Sequence, residues 1–227
     1  MRFDVVSTAG SEPLDFEPSR VFLAGYTGRD QAAVEAHVRE LADQGIPAPA
    51  RVPSVFPLVP ARVTTDTRIS VYGARTAGEA EFVLLLHGGR VYVGTGSDHT
   101  DRELEEHSIV RSKQCVDKPM SAQVWPMEEV ADHWDELQLR AAVLEDSAAT
   151  PYQDGTVASM MTPDALLAEI EGRAGREDGD VVWSGTLPII GGQFKAGWGF
   201  QVELVDPVLD RSLRCEYRVD ELPVLDE

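Results

Sequence analysis

Residues 79–96, EAEFVLLLHGGRVYVGTG, constrain the fold of this chain more than any other stretch. EAEFVLLL and RVYVGTG are rich in β-branched and aromatic residues, and the HGG between them is a hairpin turn. Side chains at i and i+2 of a strand share a face. Glu79 and Glu81 therefore project together, while Phe82, Leu84 and Leu86 point the other way. Two adjacent carboxylates repel, and desolvation sharpens the repulsion, unless a proton or a cation sits between them. The plain alternative is an edge strand with a solvated acidic face.

Strand signals dominate elsewhere. RISVYG precedes the hairpin, VFLAG (Val21 to Gly25) lies near the N-terminus, and Gly179 to Thr186 and Phe200 to Leu204 follow later. Two helices are legible. Asp30 is an N-cap for the first, Val34, Val38 and Leu41 form its apolar stripe, and Gly45 is its stop. Thr162-Pro163 opens the second, which runs through Leu166, Leu167 and Ile170 to Gly172. Residues 127–139 read as partly helical. Five prolines between Ile46 and Pro60 predict an extended surface connection, because proline denies donors to helix and sheet alike. The expectation is a mostly β (α+β) single domain over residues 1–227. Residues 1–50 form N-terminal strands plus a helix, and residues 60–227 form a β-rich core.

A chain of 227 residues that is 43% hydrophobic and 26% charged has the makings of a core. Its net charge of −19 repels phosphate backbones and anionic membranes, so neither nucleic acid nor a membrane is an expected partner. A bound divalent cation can still reverse the field at one site. The N-terminus carries acidic residues where a signal peptide needs an apolar run, and the longest apolar runs are too short to cross a bilayer. Cys115 and Cys215 are too far apart to suggest a motif, and a reducing cytoplasm fits them.

Just past the second strand of the hairpin comes SDHTDRELEEHS, residues 97–108. Polar residues bunched at a strand end are well placed to line a site. Asp98 completes an oxygen-only triad with Glu79 and Glu81, a set that selects Mg²⁺, Mn²⁺ or Ca²⁺ over zinc. His99 stands in no H-x-x-x-H or H-x-E pattern that would support zinc. A solvated loop is the plain alternative here.

GEAEF followed by GTGSDHTDRE resembles the fumarylacetoacetate hydrolase superfamily, in which an E-x-E strand precedes a G-Y-T-x-x-N-D-x-S-x-R-D loop. SKQCVDKPMSAQVWP is similar to the segment around that family's active-site lysine, YQDGTVASMMTP to its R-Q-x-G hairpin, and GDVVWSGTLPIIGG to its G-D-x-I-x-T-G-T-P strand. The matches run from about Gly25 to Pro188. Ser97 replaces the usual asparagine, and the stretch from Asp98 to Lys113 is short. The C-terminal third lacks the customary G-D-x-V ending.

The resemblance implies a mixed β-sheet roll with peripheral helices and an N-terminal lid helix. It implies metal ligands Glu79, Glu81 and Asp98, and an active-site lysine at Lys113, with Lys118 nearby. Arg102, Glu105 and Thr186 would contact substrate. GYTGRDQAAVEAHVREL is similar to the family's lid element, which makes His37 and Glu40, three apart on one helix face, a water-activating dyad. The implied protein is a homodimeric hydrolase of a small 2-oxo acid, cleaving acylpyruvate-type C–C bonds with Mg²⁺ or Mn²⁺. The same site supports decarboxylation, hydration or isomerisation. A non-catalytic member binding a small acid, and an acidic interaction protein without metal, are the readings from other classes.

Overall fold

A computed structural model describes residues 1–43, 49–146, 148–223 and 225, and the side chains of residues 37 and 40–43 lie outside the described set. Eight strands form the larger sheet, in the order β2 (Gly10–Asp15), β1 (Arg2–Ser7), β12 (Gln123–Pro126), β9 (Arg90–Ser97), β8 (Ala80–His87), β15 (Asp180–Trp183), β3 (Arg20–Gly25), β4 (Ser54–Leu58). A five-stranded sheet runs β14 (Ala148–Thr156), β13 (Gln138–Glu145), β16 (Gly199–Asp206), β17 (Arg211–Leu222), β6 (Arg68–Tyr72). Two short pairs join β5 (Val63–Thr64) to β11 (Lys118–Pro119) and β7 (Thr76–Ala77) to β10 (Thr100–Asp101). The larger sheet is mixed: β1 runs parallel to β12 and β3 parallel to β15, with antiparallel pairs between. Among the described residues four α-helices complete the set: α1 (Gln31–Asp43), α2 (Arg102–Glu105), α3 (Ile109–Gln114) and α4 (Pro163–Ala174). None is long and apolar enough to cross a membrane, among the described residues.

The hairpin at residues 79–96 is the middle of this architecture rather than its edge. β8 lies between β9 and β15, with Glu81 opposite Gly96 and Leu84 opposite Val93. Both faces of β8 are covered. Ala80, Phe82, Leu84 and Leu86 pack with residues of β13, β16 and β17, including Leu139, Val202 and Leu213. Val83 and Leu85 pack on the other side with Phe3, Val5, Leu23 and Trp183. A strand buried on both faces reads as a continuous apolar run, which is why FVLLL lacks alternation. The alternative of a solvated acidic edge is overturned.

Three boundaries differ from the sequence reading for local reasons. The proline-rich stretch is not only a connection, because β4 pairs with β3 and places Pro57 opposite Phe22. Proline is accepted there because β4 is the outermost strand and needs donors for one neighbour only. Helix α4 runs through Gly172 and ends before Gly175, whose φ of 72° suits the left-handed turn that a helix stop requires. Residues 127–136 are two 3₁₀ segments, Met127–Glu129 and Ala131–Glu136. Asp30 caps α1 as expected, its Oδ1 accepting from the N–H groups of Ala32 (3.0 Å) and Ala33 (3.1 Å). Gly45, the expected stop, lies outside the described residues.

Gly96, opposite Glu81, is a point of closest packing. A Cβ there would lie 2.6 Å from the Pro119 carbonyl oxygen and 2.7 Å from the Trp183 ring. Gly96→Ala therefore forces backbone or indole apart and should destabilise the fold by about 1–3 kcal/mol. The urea midpoint will fall at unchanged slope if this packing account holds; an unchanged midpoint contradicts it.

Candidate metal centre

β8 and β9 deliver three carboxylates to one place. Glu79 immediately precedes β8, Glu81 lies within it, and Asp98 follows β9, with the Asp98 N–H donating to the Glu79 carbonyl at 3.0 Å. One oxygen from each of Glu79, Glu81 and Asp98 lies within 4.8 Å of the others. Glu81 and Asp98 are 1% exposed, and the Glu79 side chain 16%. The stretch read as a polar loop is an ordered return instead. Residues 100–114 form β10, α2 and α3, and Asp101 and Ser108 cap the two helices with their side chains. That return brings Lys113 and Arg102 back onto the triad.

The basic side chains pair unevenly with the acids. Lys113 Nζ contacts Asp98 Oδ2 and lies 3.2 Å from Glu79 Oε2. Lys118, wholly buried, reaches Asp98 Oδ1 at 3.0 Å and donates to the His99 carbonyl at 2.5 Å. Both lysines therefore line the centre. Arg102 lies 3.2 Å from Glu79 Oε1, donates to Glu105 Oε2 at 2.8 Å and stacks under Phe194, whose ring centre is 4.2 Å away. Among the described residues, no basic side chain pairs with Glu81. Its carboxylate instead takes the N–H of Gly185, which donates to Oε2 at 3.0 Å. Gly185 holds φ at 81°, and a Cβ there would lie 2.5 Å from Thr27 Oγ1.

Electrostatics follow from this pairing. Burial alone would raise Asp98, but Lys113 and Lys118 outweigh it and hold the carboxyl well below the usual range. Burial likewise opposes ionisation of Glu79, and Arg102 with Lys113 brings it below its ordinary value. Glu81 goes the other way: burial, then the Asp98 charge, push it well above the carboxylate range. Lys113 is raised because the three carboxylates overcome its desolvation, whereas burial lowers Lys118 despite Asp98. The centre thus keeps Lys113 charged and leaves Glu81 without a direct ion pair among the described residues, Lys113 only partly offsetting its burial.

The donor set fits a divalent cation on this evidence. The donors are hard oxygens only, as Mg²⁺ and Mn²⁺ prefer, and the uncompensated Glu81 supplies the reason for a further positive charge. His99 is not part of the set. It is 2% exposed, and both ring nitrogens are engaged, Nδ1 with Tyr217 Oη at 2.8 Å and Nε2 with Thr76 Oγ1 at 3.0 Å.

Thr186, expected to contact substrate, donates its hydroxyl to the Ala80 carbonyl at 2.8 Å and accepts from Gln153 Nε2 at 2.7 Å. Gln153 in turn accepts from the Ala80 N–H at 2.9 Å, so the two pin the start of β8. Gln153 stood in YQDG without a role, and only its burial opposite β8 reveals one. Tyr217 was also missed as a working part, while the choice between Lys113 and Lys118, open in the sequence, is answered by both. Lysine before Pro119 offered a hint, whereas Tyr217, 118 residues from His99, offered none. Arg102 and Glu105 sit together at the rim as a pair. The side chains of His37 and Glu40 lie outside the described residues, so the expected dyad is not located.

This mixed β architecture with its carboxylate-bearing hairpin is the fold of the fumarylacetoacetate hydrolase superfamily. A crystal structure of Cg1458 superposes with a TM-score of 0.67 at 15% identity, covering 97% of this chain and 99% of that one. The apo form of 2-keto-3-deoxy-D-arabinonate dehydratase gives 0.66 at 16% identity, covering 92% and 75%. The same dehydratase complexed with magnesium and 2,5-dioxopentanoate gives 0.64 at 16% identity, covering 92% and 75%. Residues 24–217 match the family described as "Protein of unknown function (DUF2848)", and the chain belongs to that family. No curated protein sequence matches it.

Glu81 generates a pH-dependent prediction. Its raised pKa means that folding takes up a proton, so its cost to stability is absent below the ordinary carboxylate value and builds as pH rises toward the folded value. Glu81→Gln keeps an acceptor for Gly185 and removes the charge. In chelator at pH 8 the variant should be more stable than the parent by about 1–3 kcal/mol, with the difference vanishing near pH 4. Equal melting temperatures at both pH values would contradict the uncompensated charge.

Proposed function

We propose that this chain is a divalent-metal-dependent enzyme of a small 2-oxo acid, hydrolysing an acylpyruvate-type C–C bond. The observation that carries the reading is the buried oxygen triad Glu79, Glu81 and Asp98, one member of which has no basic partner among the described residues. The likeness to a dehydratase complexed with magnesium and 2,5-dioxopentanoate supports the choice of metal and of substrate class. When bound, a divalent ion supplies Lewis-acid polarisation of a chelated carboxylate and 2-oxo group.

The chain's own residues do the remaining work on this reading. Lys113, held charged by the carboxylates around it, balances negative charge developing on a substrate oxygen. Arg102, braced by Glu105 and covered by Phe194, offers a guanidinium at the rim for an acidic group. Thr186, expected to touch substrate, acts on this reading through β8, whose start it holds at the Ala80 carbonyl between Glu79 and Glu81. His37, oriented by Glu40, takes the proton of the attacking water. A homodimer belongs to the same proposal.

A second reading is favoured by the dehydratase likeness: elimination of water from a hydroxylated 2-oxo acid at the same centre. Decarboxylation, hydration and isomerisation use the same groups. A screen of acylpyruvates, oxaloacetate, 2-oxo-4-enoic acids and 3-deoxy-2-oxo sugar acids, with Mn²⁺ and then with chelator, separates them. The expected result is Mn²⁺-dependent cleavage of a 2,4-dioxo acid that chelator abolishes and added Mn²⁺ restores. His37→Ala should lower that rate by about 10²- to 10⁴-fold with Mn²⁺ affinity unchanged. Turnover confined to the sugar acid would replace hydrolysis with elimination, and absence of Mn²⁺ binding by calorimetry would overturn the enzyme reading itself.

A further inference from the structure

The segment that leads into Glu79 is built of small residues. Gly73, Ala74, Thr76, Ala77 and Gly78 line a cavity of about 310 Å³ that is also bordered by Phe200 and Val219. With little side-chain bulk of its own, this segment takes its position from the pairing of β7 with β10, from the close approach of Gly78 to Phe200 and Ser97, and from side-chain hydrogen bonds. One buried chain of them stands out. Thr76 Oγ1 meets His99 Nε2 at 3.0 Å, His99 Nδ1 meets Tyr217 Oη at 2.8 Å, and Tyr217 Oη donates to Ser97 Oγ at 2.8 Å. Ser97 Oγ then accepts from the backbone N–H of Glu79 at 3.2 Å.

All four side chains are buried, and the rings of His99 and Tyr217 meet edge to face at 5.7 Å. The chain starts two residues from Gly78 and ends on Glu79 itself. On the way it passes through the residues on either side of Asp98. Its one distant member, Tyr217, comes from β17 of the five-stranded sheet, so it ties both ligand-bearing segments to a rigid element. A neutral imidazole offers one donor and one acceptor; because Tyr217 Oη gives its proton to Ser97, His99 Nδ1–H donates to Tyr217 and Nε2 accepts from the Thr76 hydroxyl. Neither nitrogen of His99 is then left for a metal.

We infer that Tyr217 and His99 are positioning residues of the metal centre, setting the separation of Glu79 and Asp98 through Thr76 and Ser97. The inference rests on the metal reading above. Groups that orient ligands from behind cost about 10- to 100-fold in metal affinity when removed. Tyr217→Phe keeps the ring and deletes the hydroxyl that bridges His99 and Ser97.

Calorimetric titration of the full chain with Mn²⁺, well below the melting temperature, tests this. Tyr217→Phe should weaken Mn²⁺ binding at least tenfold at unchanged stoichiometry. Thr76→Val, at the far end of the chain and nearly isosteric, should weaken it in the same direction and keeps the test decisive should Tyr217→Phe fail to fold. Val202→Ala, a buried truncation in the neighbouring strand of the same sheet, controls for loss of stability alone and should leave Mn²⁺ affinity within about twofold. If the folded variants bind as tightly as the parent, or no more weakly than Val202→Ala, the positioning role is overturned and the metal reading stands. A parent protein that binds no Mn²⁺ overturns both.

Discussion

Three carboxylates share a centre from which water is almost excluded, and most of what surrounds the β8–β9 hairpin answers to their charge. Burying an ion costs several kcal/mol even after relaxation, and like charges in the same pocket add to it. The chain meets this cost with its own cations at two of the three positions. Lys113 and Lys118 take the two oxygens of Asp98, and Arg102 with Lys113 takes Glu79. Glu81 receives one backbone N–H and nothing basic, among the described residues. The asymmetry matters more than the cluster. An acidic pocket fully matched by lysines is a structural ion-pair network, whereas one with a single unmatched acid accommodates further positive charge.

The two sheets divide the labour of holding this arrangement. The larger sheet supplies the hairpin, buried on both faces and closed against Trp183 and Pro119 at Gly96. The five-stranded sheet supplies Gln153 and Tyr217, which pin β8 and the ends of the ligand segments from the other side. Short helices α2 and α3, together with β11, supply the counter-charges. Each carboxylate is thus fixed by an element other than its own, which is how acids that repel one another stay within 4.8 Å.

Legibility in the sequence tracked the range of the interaction. The E-x-E strand, its hairpin and the Asp30 cap are local patterns, and all three are where the periodicity put them. Whether β8 was an edge or a central strand was not readable, since burial of Glu81 depends on β15, almost a hundred residues downstream. The same limit hid β4, a strand that tolerates Pro57 only because it is outermost. A solvated loop stayed open as the alternative for residues 97–108 for a related reason: Asp98 and Thr100 are polar, and only the packing above them makes them interior.

From its residues alone, this chain specified a β-rich fold, a paired-carboxylate strand followed by an aspartate, and a family likeness carried by their order. Those features rest on spacing along the backbone, where the strand repeat of two decides which side chains are neighbours. Tertiary structure decided which acid lacks a partner, that two lysines rather than one line the centre, and that His99 is tied up by Tyr217 instead of facing a metal. Charge balance and hydrogen-bond satisfaction in a buried site are sums over groups from distant segments. They exist only once the sheets have closed around them.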